Sequence, residues 1–172
     1  IKITSHLIGL YNSNNINAAI SIGIKFGVSL ENIKNAIEGF VPQNNRSQML
    51  TINSNEIILD AYNANPTSMK AALDNLSQLK DTKKVAILGD MFELGESAKK
   101  EHQTIAEYAL SLDIDRIYLV GSNFYNSQID SKQITYLETF KDLEKAFDLS
   151  KNKKSTILIK GSRGMALERL IN

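Results

Sequence analysis

Four short stretches hold residue types that could do chemistry together. Asp60-Ala61-Tyr62-Asn63-Ala64-Asn65-Pro66 closes an apolar run on a carboxylate and follows it with two amides. A carboxylate suits ribose hydroxyls or an ammonium group. An amide suits a peptide-like ligand, because it donates and accepts at once. With free helix N–H groups beside them, Asp60 and Asn63 could face a polar ligand. Lys160-Gly161-Ser162-Arg163-Gly164 sets two cations among glycines, an anion-binding composition. Gly89-Asp90-Met91-Phe92-Glu93-Leu94-Gly95 and Gly121-Ser122-Asn123 complete the set.

Each stretch also has a plainer reading. Asn65 before Pro66 makes a good helix N-cap, and Asp60 can hold a turn. A lysine at a strand end is commonly solvent-exposed. Glu93 and Glu96 suit solvent or a helix N-terminus. His102 lies on the apolar stripe of a helical segment and reads as a hydrogen-bonded structural residue. A phosphate loop, GxxxxGK followed by Ser or Thr, is absent from the sequence.

These stretches cooperate only if the fold brings them to one side. From residue 55 onward, strand-like and helix-like segments alternate. "KVAILG" is a continuous apolar run, the pattern of a strand covered on both faces. "RIYLVG", "ITYL" and "STILIKG" read as further strands, with "SNFYNSQIDSKQ" an irregular polar loop. "PTSMKAALDNLSQL" aligns Met69, Ala72, Leu73, Leu76 and Leu79 on one helical face. "SAKKEHQTIAEYALSL" does the same with Ala98, His102, Ile105, Ala106 and Ala109. "FKDLEKAFDLS" and "MALERLI" read as shorter helices. Parallel strands need crossover connections, so the expected fold is α/β: a three-layer, Rossmann-like, mostly parallel sheet. "MLTIN" and "EIILD" around Ser54-Asn55 add an antiparallel edge hairpin. Ligands collect at the carboxyl ends of parallel strands. All four stretches follow strands and so share one rim, while "KDTKK" and "SKNKK" fall on the plainer opposite edge.

The first part of the chain differs. Ile16, Ala19, Ile20, Ile24 and Phe26 follow helical spacing up to a stop at Gly27. Ser29 is placed to cap a second helix with Leu30, Ile33, Ala36 and Ile37 as its stripe. "VPQNNRSQ" is polar and turn-rich, a linker. The expected division is a helical pair over residues 1–43 and a sheet domain over 44–172. The chain begins at Ile1 rather than Met, which points to a piece of a longer protein.

Bulk properties narrow the function. Net charge is +1 with acids and bases interspersed, which argues against a nucleic-acid surface. Without cysteine there is no disulfide framework or thiolate metal site, and two histidines leave little for an imidazole centre. No apolar run approaches the ~20 residues that span a bilayer, and no signal peptide is visible. A cytoplasmic setting without membrane contact is expected.

"DAYNANPTSMKAAL", "ILGDMFELGE" followed by "EHQTIAEYA", and "LIKGSRGMALERL" resemble the carboxyl-terminal domain of the Mur ligases. "LIGLYNSNNINAA" resembles the end of that family's central ATPase domain. The Tyr-Asn-Ala-Asn and Lys-Gly-Ser-Arg segments are similar to the branch that joins D-alanyl-D-alanine to UDP-N-acetylmuramoyl-tripeptide in peptidoglycan synthesis. The resemblance implies ATP and Mg²⁺ as cofactors, an acyl phosphate, attack by the dipeptide amine, and release of ADP and phosphate. It implies Asn12 and Asn15 beside the adenine, Arg46 reaching the ATP phosphates, and Asp60 on the ribose. It sets Asn63, Asn65, Asp90, Lys160 and Arg163 on the substrate side. It also implies that the metal ligands and most of the ATPase machinery belong to a central domain outside this chain, that a UDP-binding amino-terminal domain lies outside it too, and that this chain carries no catalytic residue, so this chain alone is expected to be inactive. Three positions depart from the family pattern. Tyr11 stands where histidine is usual, Asn45 where glycine often precedes the linker arginine, and Leu59 in place of the first of two aspartates. Two other readings stay open: a non-catalytic binding module on the same scaffold, and a related ligase with a different amino-acid substrate.

Overall fold

Runs of aliphatic and β-branched residues pair into a twisted sheet whose middle is covered on both faces. The computed structural model describes residues 1–9, 12–80 and 83–171. Tyr11 and the Asp81-Thr82 part of the 80–84 connection lie outside the described residues. Among the described residues six strands form one sheet. Their spatial order is β1 (Gln48–Ile52), β2 (Asn55–Asp60), β6 (Ser155–Lys160), β3 (Lys83–Gly89), β4 (Arg116–Val120) and β5 (Ile134–Leu137). β1 is antiparallel to β2, and the other neighbours are parallel. The last strand in the chain is therefore central.

Two helical layers sandwich the sheet. α3 (Pro66–Ser77), α4 (Ala98–Leu110) and α5 (Ser122–Tyr125) press Met69, Leu73, Leu76, Ile105 and Phe124 onto Ile58, Leu88 and Leu158. On the opposite face α6 (Phe140–Ala146) and a 3₁₀ turn at Leu167–Ile171 bring Leu143 and Leu167 against Ile57, Ile87 and Ile159. Successive strand residues point to opposite faces. Ile57 and Ile58 are both buried because both faces are covered, which is why these strands read as unbroken apolar runs. Leu59 also lies in this core, where an aspartate would have to be desolvated. Ahead of the sheet stand α1 (Asn12–Lys25) and α2 (Leu30–Gly39), the latter capped by Ser29, whose hydroxyl accepts from the Asn32 N–H.

Several local expectations change. The hairpin turn is Asn53-Ser54, one residue earlier than the sequence suggests. Both residues have positive φ, as the tight primed turns require. Asn55 instead begins β2, where its buried amide donates to the carbonyls of Leu149 and Asn152 and ties the hairpin to the approach of β6. The polar "SNFYNSQIDSKQ" segment is not wholly irregular: it contains α5, because Phe124 is drawn fully into the core. "MALERLI" forms 3₁₀ turns rather than an α-helix, interrupted by Ala166 in the left-handed region. Ile24 and Phe26 do not join a buried stripe; they are 54% and 81% exposed, and α1 ends at Lys25 before reaching Phe26.

The phenol of Tyr108 on α4 donates a hydrogen bond to the Asp74 carboxylate on α3. That bond, with burial and the nearby negative charge, raises the phenol above its ordinary range. Burial does the same for Tyr136. A raised folded-state value means the folded chain holds its proton longer than the unfolded chain. The stabilisation is complete below about pH 10 and is lost as pH rises through the folded value. Thermal denaturation between about pH 9 and 11 is expected to show a shallower alkaline decline for Tyr108→Phe than for the wild type.

Candidate functional site at the carboxyl rim of the sheet

Asp60 and Lys160 end neighbouring parallel strands in register, so their side chains leave the sheet together. The Lys160 ammonium is 2.6 Å from Asp60 Oδ2 and also donates to the Asn63 carbonyl at 3.0 Å. Lys160 is only 1% exposed, against the usual expectation for a strand-end lysine. A buried ammonium is tolerable because both contacts satisfy it and one carries the opposite charge. Asp60 faces a second partner: its Oδ1 accepts from the Ser47 N–H at 3.0 Å. The linker, the turn after β2 and the end of β6 are thus fastened at one carboxylate.

The turn after β2 serves the helix that follows. Asn65 Oδ1 accepts from the Ser68 N–H at 2.9 Å, and the Ser68 hydroxyl accepts from the Asn65 N–H at 3.1 Å. With Pro66 in the first turn, this is a reciprocal cap on α3. The exposed Asn63 uses its side-chain amide oxygen, Oδ1, to accept from the Ala64 N–H at 2.8 Å. Tyr62, between these residues and Asp60, carries the Arg46 guanidinium 3.7 Å from its ring centroid and the Arg163 guanidinium 5.3 Å from it.

The amides of α1 complete one wall. Asn12 is buried, donates to the Ile8 carbonyl at 2.6 Å and accepts from Asn15 Nδ2 at 3.0 Å. Asn12, Asn15, Arg46, Asp60, Asn63, Asn65 and Lys160 all line one cleft of about 450 Å³ between the helical pair and the rim. That size lies within the range of ligand pockets. Asn45 has φ 60°, the left-handed region where glycine is favoured and asparagine tolerated, so it can do what a glycine before the arginine would do.

Asp90 and Arg163 are not among the residues lining that cleft. Asp90 is buried, and its carboxylate accepts from the N–H groups of Asn123 and Phe124 and from Asn123 Nδ2, at 2.9 to 3.1 Å. It fixes the turn after β4. Gly121 makes this possible: it has φ 120°, and a Cβ there would sit 2.3 Å from the Asp90 carboxyl carbon. His102 is structural, as its place on the helix suggests. Its Nε2 accepts from the Met91 N–H at 2.9 Å, so Nδ1 carries the proton, within 2.6 Å of the Ala98 carbonyl.

Sequence reasoning passed over Tyr62 and Ser47. Tyr62 had a usable signal, since it lies inside the Asp60–Asn65 stretch and an aromatic ring between cations invites stacking. Ser47 had none, because its backbone rather than its side-chain type makes the closer bond.

Removing one member of the buried pair strands the other. Lys160→Met and Asp60→Ala are each expected to lower unfolding free energy by roughly 3 kcal/mol. The Asp60→Ala/Lys160→Met double variant should lose less than the sum. Urea denaturation reads this, and strictly additive losses would contradict the pairing. Asn65→Ala should cost about 1 kcal/mol through the lost cap.

Known proteins resemble this chain in sequence and in fold. Residues 45–163 match the family model described as Mur ligase, glutamate ligase domain. The chain is 34% identical over 168 residues to the UDP-N-acetylmuramoyl-tripeptide–D-alanyl-D-alanine ligase of Treponema pallidum, covering 94% of this chain and 36% of that protein. It is 32% identical to the Bacillus subtilis enzyme of the same name, covering 96% of this chain and 38% of that one. A crystal structure of MurF from Acinetobacter baumannii superposes with a TM-score of 0.84 at 31% identity, over 95% of this chain and 37% of that one. The chain thus spans a little over a third of the length of these relatives. The sequence match and the shared sheet together show that this chain belongs to the Mur ligase family.

Proposed function

We propose that this chain is the carboxyl-terminal part of an ATP-dependent amide ligase that joins D-alanyl-D-alanine to UDP-N-acetylmuramoyl-tripeptide in the cytoplasm. The observation that carries the reading is the shared cleft, in which Asn12 and Asn15 of the helical pair face Arg46, Asp60 and Asn63 of the sheet rim. Residues 1–43 act as the end of a central ATPase domain, and residues 44–172 as the ligase domain that closes on it. The exposed Ile24 and Phe26 support this division, since apolar side chains on a helical pair call for a covering surface.

The donor and acceptor set fits a nucleotide. Asp60 retains lone pairs beyond those used by Lys160 and Ser47, and its side chain is 18% exposed, enough to accept from ribose hydroxyls. The amides of Asn12 and Asn15 suit the donors and acceptors of an adenine edge. Arg46 supplies a planar cation for phosphate oxygens. ATP would supply the phosphoryl group that activates the terminal carboxylate of the tripeptide, with ADP as the leaving group. This chain's residues orient the nucleotide and the incoming amine and shield phosphate charge. Asn63 would address the dipeptide through its side-chain N–H groups, and Arg163 would attract the dipeptide carboxylate from the neighbouring turn. Asp90 contributes by holding the turn after β4 rather than by contact. Among the described residues no group of three or more His, Cys, Asp or Glu side chains could hold a metal ion. Mg²⁺ would accompany the phosphates of the nucleotide. Its ligands are assigned to the rest of the protein, and no step here runs through it.

In the full-length protein, Asp60→Ala should raise the KM for ATP about tenfold or more while retaining dipeptide selectivity. Ligation that is unchanged by Asp60→Ala would instead fit a binding module. Comparing D-alanyl-D-alanine with single amino acids tests the substrate: preference for a single amino acid would overturn the dipeptide assignment. The 172-residue chain alone should release no phosphate above background from ATP, Mg²⁺ and both substrates.

A further inference from the structure

Tyr62 has no role in the reading above, yet three distant chain segments meet on its ring. The ring belongs to the turn after β2. Arg46 reaches it from the linker before β1, at 3.7 Å, and Arg163 from the turn after β6, at 5.3 Å. The backbone around Arg46 is unusual. Asn44, Asn45 and Ser47 have φ of 58°, 60° and 50°, all in the left-handed region. Asparagine tolerates that region, but serine occupies it at a cost. Two fastenings hold the segment there. The Ser47 N–H on Asp60 Oδ1 fixes the backbone, and the Arg46 guanidinium on Tyr62 fixes the side chain. Without the ring, a side chain with so many rotatable bonds would sample widely.

We propose that Tyr62 is a positioning residue: its ring docks Arg46 at the wall of the cleft, and an anion entering the cleft draws Arg46 off the ring. The proposal rests on the ligase reading only for the identity of that anion, the phosphates of a nucleotide. Arg46, Tyr62 and Asp60 line the same cleft, so the guanidinium exchanges ring for phosphate without crossing the protein. The direction of the exchange follows from the strengths. A guanidinium meets phosphate through two charge-assisted hydrogen bonds, whereas an exposed cation–ring contact shifts a population only about two- to fivefold. The docked state is therefore strong enough to preset Arg46 and weak enough to release it. Arg163 keeps its own contact with the ring, so the turn after β6 has a partner when Arg46 leaves.

Nuclear magnetic resonance of the 172-residue chain tests this directly. The side-chain protons of Arg46 should resonate upfield of their ordinary positions because of the Tyr62 ring current. Adding inorganic pyrophosphate or ATP should return them downfield. Tyr62→Phe should keep the upfield position and Tyr62→Leu abolish it. Trypsin should cut after Arg46 about two- to fivefold faster in Tyr62→Leu than in the wild type or Tyr62→Phe, with cutting after Lys25 and Lys153 unchanged. Arg46 resonances at ordinary positions in the wild type would overturn the proposal without any variant. Tryptic rates after Arg46 that do not distinguish leucine from phenylalanine would overturn it too, as would acceleration at all sites alike. If the full-length wild-type protein ligates nothing, the ligase reading fails, while the docking stands or falls on the resonances and the tryptic rates.

Discussion

The Lys160 ammonium leaves the centre of the sheet with almost no contact with water, and the surrounding rim is arranged around that charge. Desolvating a cation is costly unless a counter-charge and further acceptors replace the water. Asp60 supplies the charge and the Asn63 carbonyl supplies an acceptor, both from the turn after β2. The remaining oxygen of Asp60 then organises the linker through the Ser47 N–H. One consequence is electrostatic. An unpaired aspartate in the cleft would repel phosphate groups, whereas the Asp60–Lys160 pair is neutral. Among the described residues that line the cleft, Arg46 then remains as a cation outside that pair.

Asp90 plays the corresponding part on the other half of the rim. Three N–H donors surround its carboxylate, and the Cα of Gly121 lies where any side chain would collide with it. The Asp90 carbonyl also accepts from the Ser162 N–H, and the Ser162 hydroxyl accepts from the Phe92 N–H. The turns after β3, β4 and β6 are joined in this way by polar contacts, while the strands beneath them are joined by apolar ones. The carboxylates of this fold thus hold loops as well as face a cleft, and side-chain type alone does not separate the two roles.

That ambiguity explains which features were legible in the sequence. The alternation of strands and helices was readable because burial on both faces leaves a strong pattern, as in Val85 to Leu88. The cap at Asn65 was readable because it is local, with all its atoms within four residues. The shared rim followed from strand polarity. The burial of Lys160 was not readable, because it depends on β6 lying beside β2, a pairing between residues a hundred positions apart. The inward turn of Asp90 was hidden for the same reason: its donors come from the turn after the next strand. The exposure of Ile24 and Phe26 was missed because periodicity reports which residues want cover, not whether the chain itself provides it. Composition likewise marks Asn12 and Asn15 as polar, without showing that the first is buried and bonded to the second.

The central placement of β6 has a consequence for how such a molecule comes into being on the ribosome. Every other strand is synthesised before it, yet β2 and β3 become neighbours only through it. Until β6 emerges, both present bare edges, which are open to pairing with other chains. The half-made sheet also lacks Lys160, so Asp60 stands without its counter-ion during that interval. Elongation thus leaves two open sheet edges just before β6 arrives, a state that a holdase chaperone would protect.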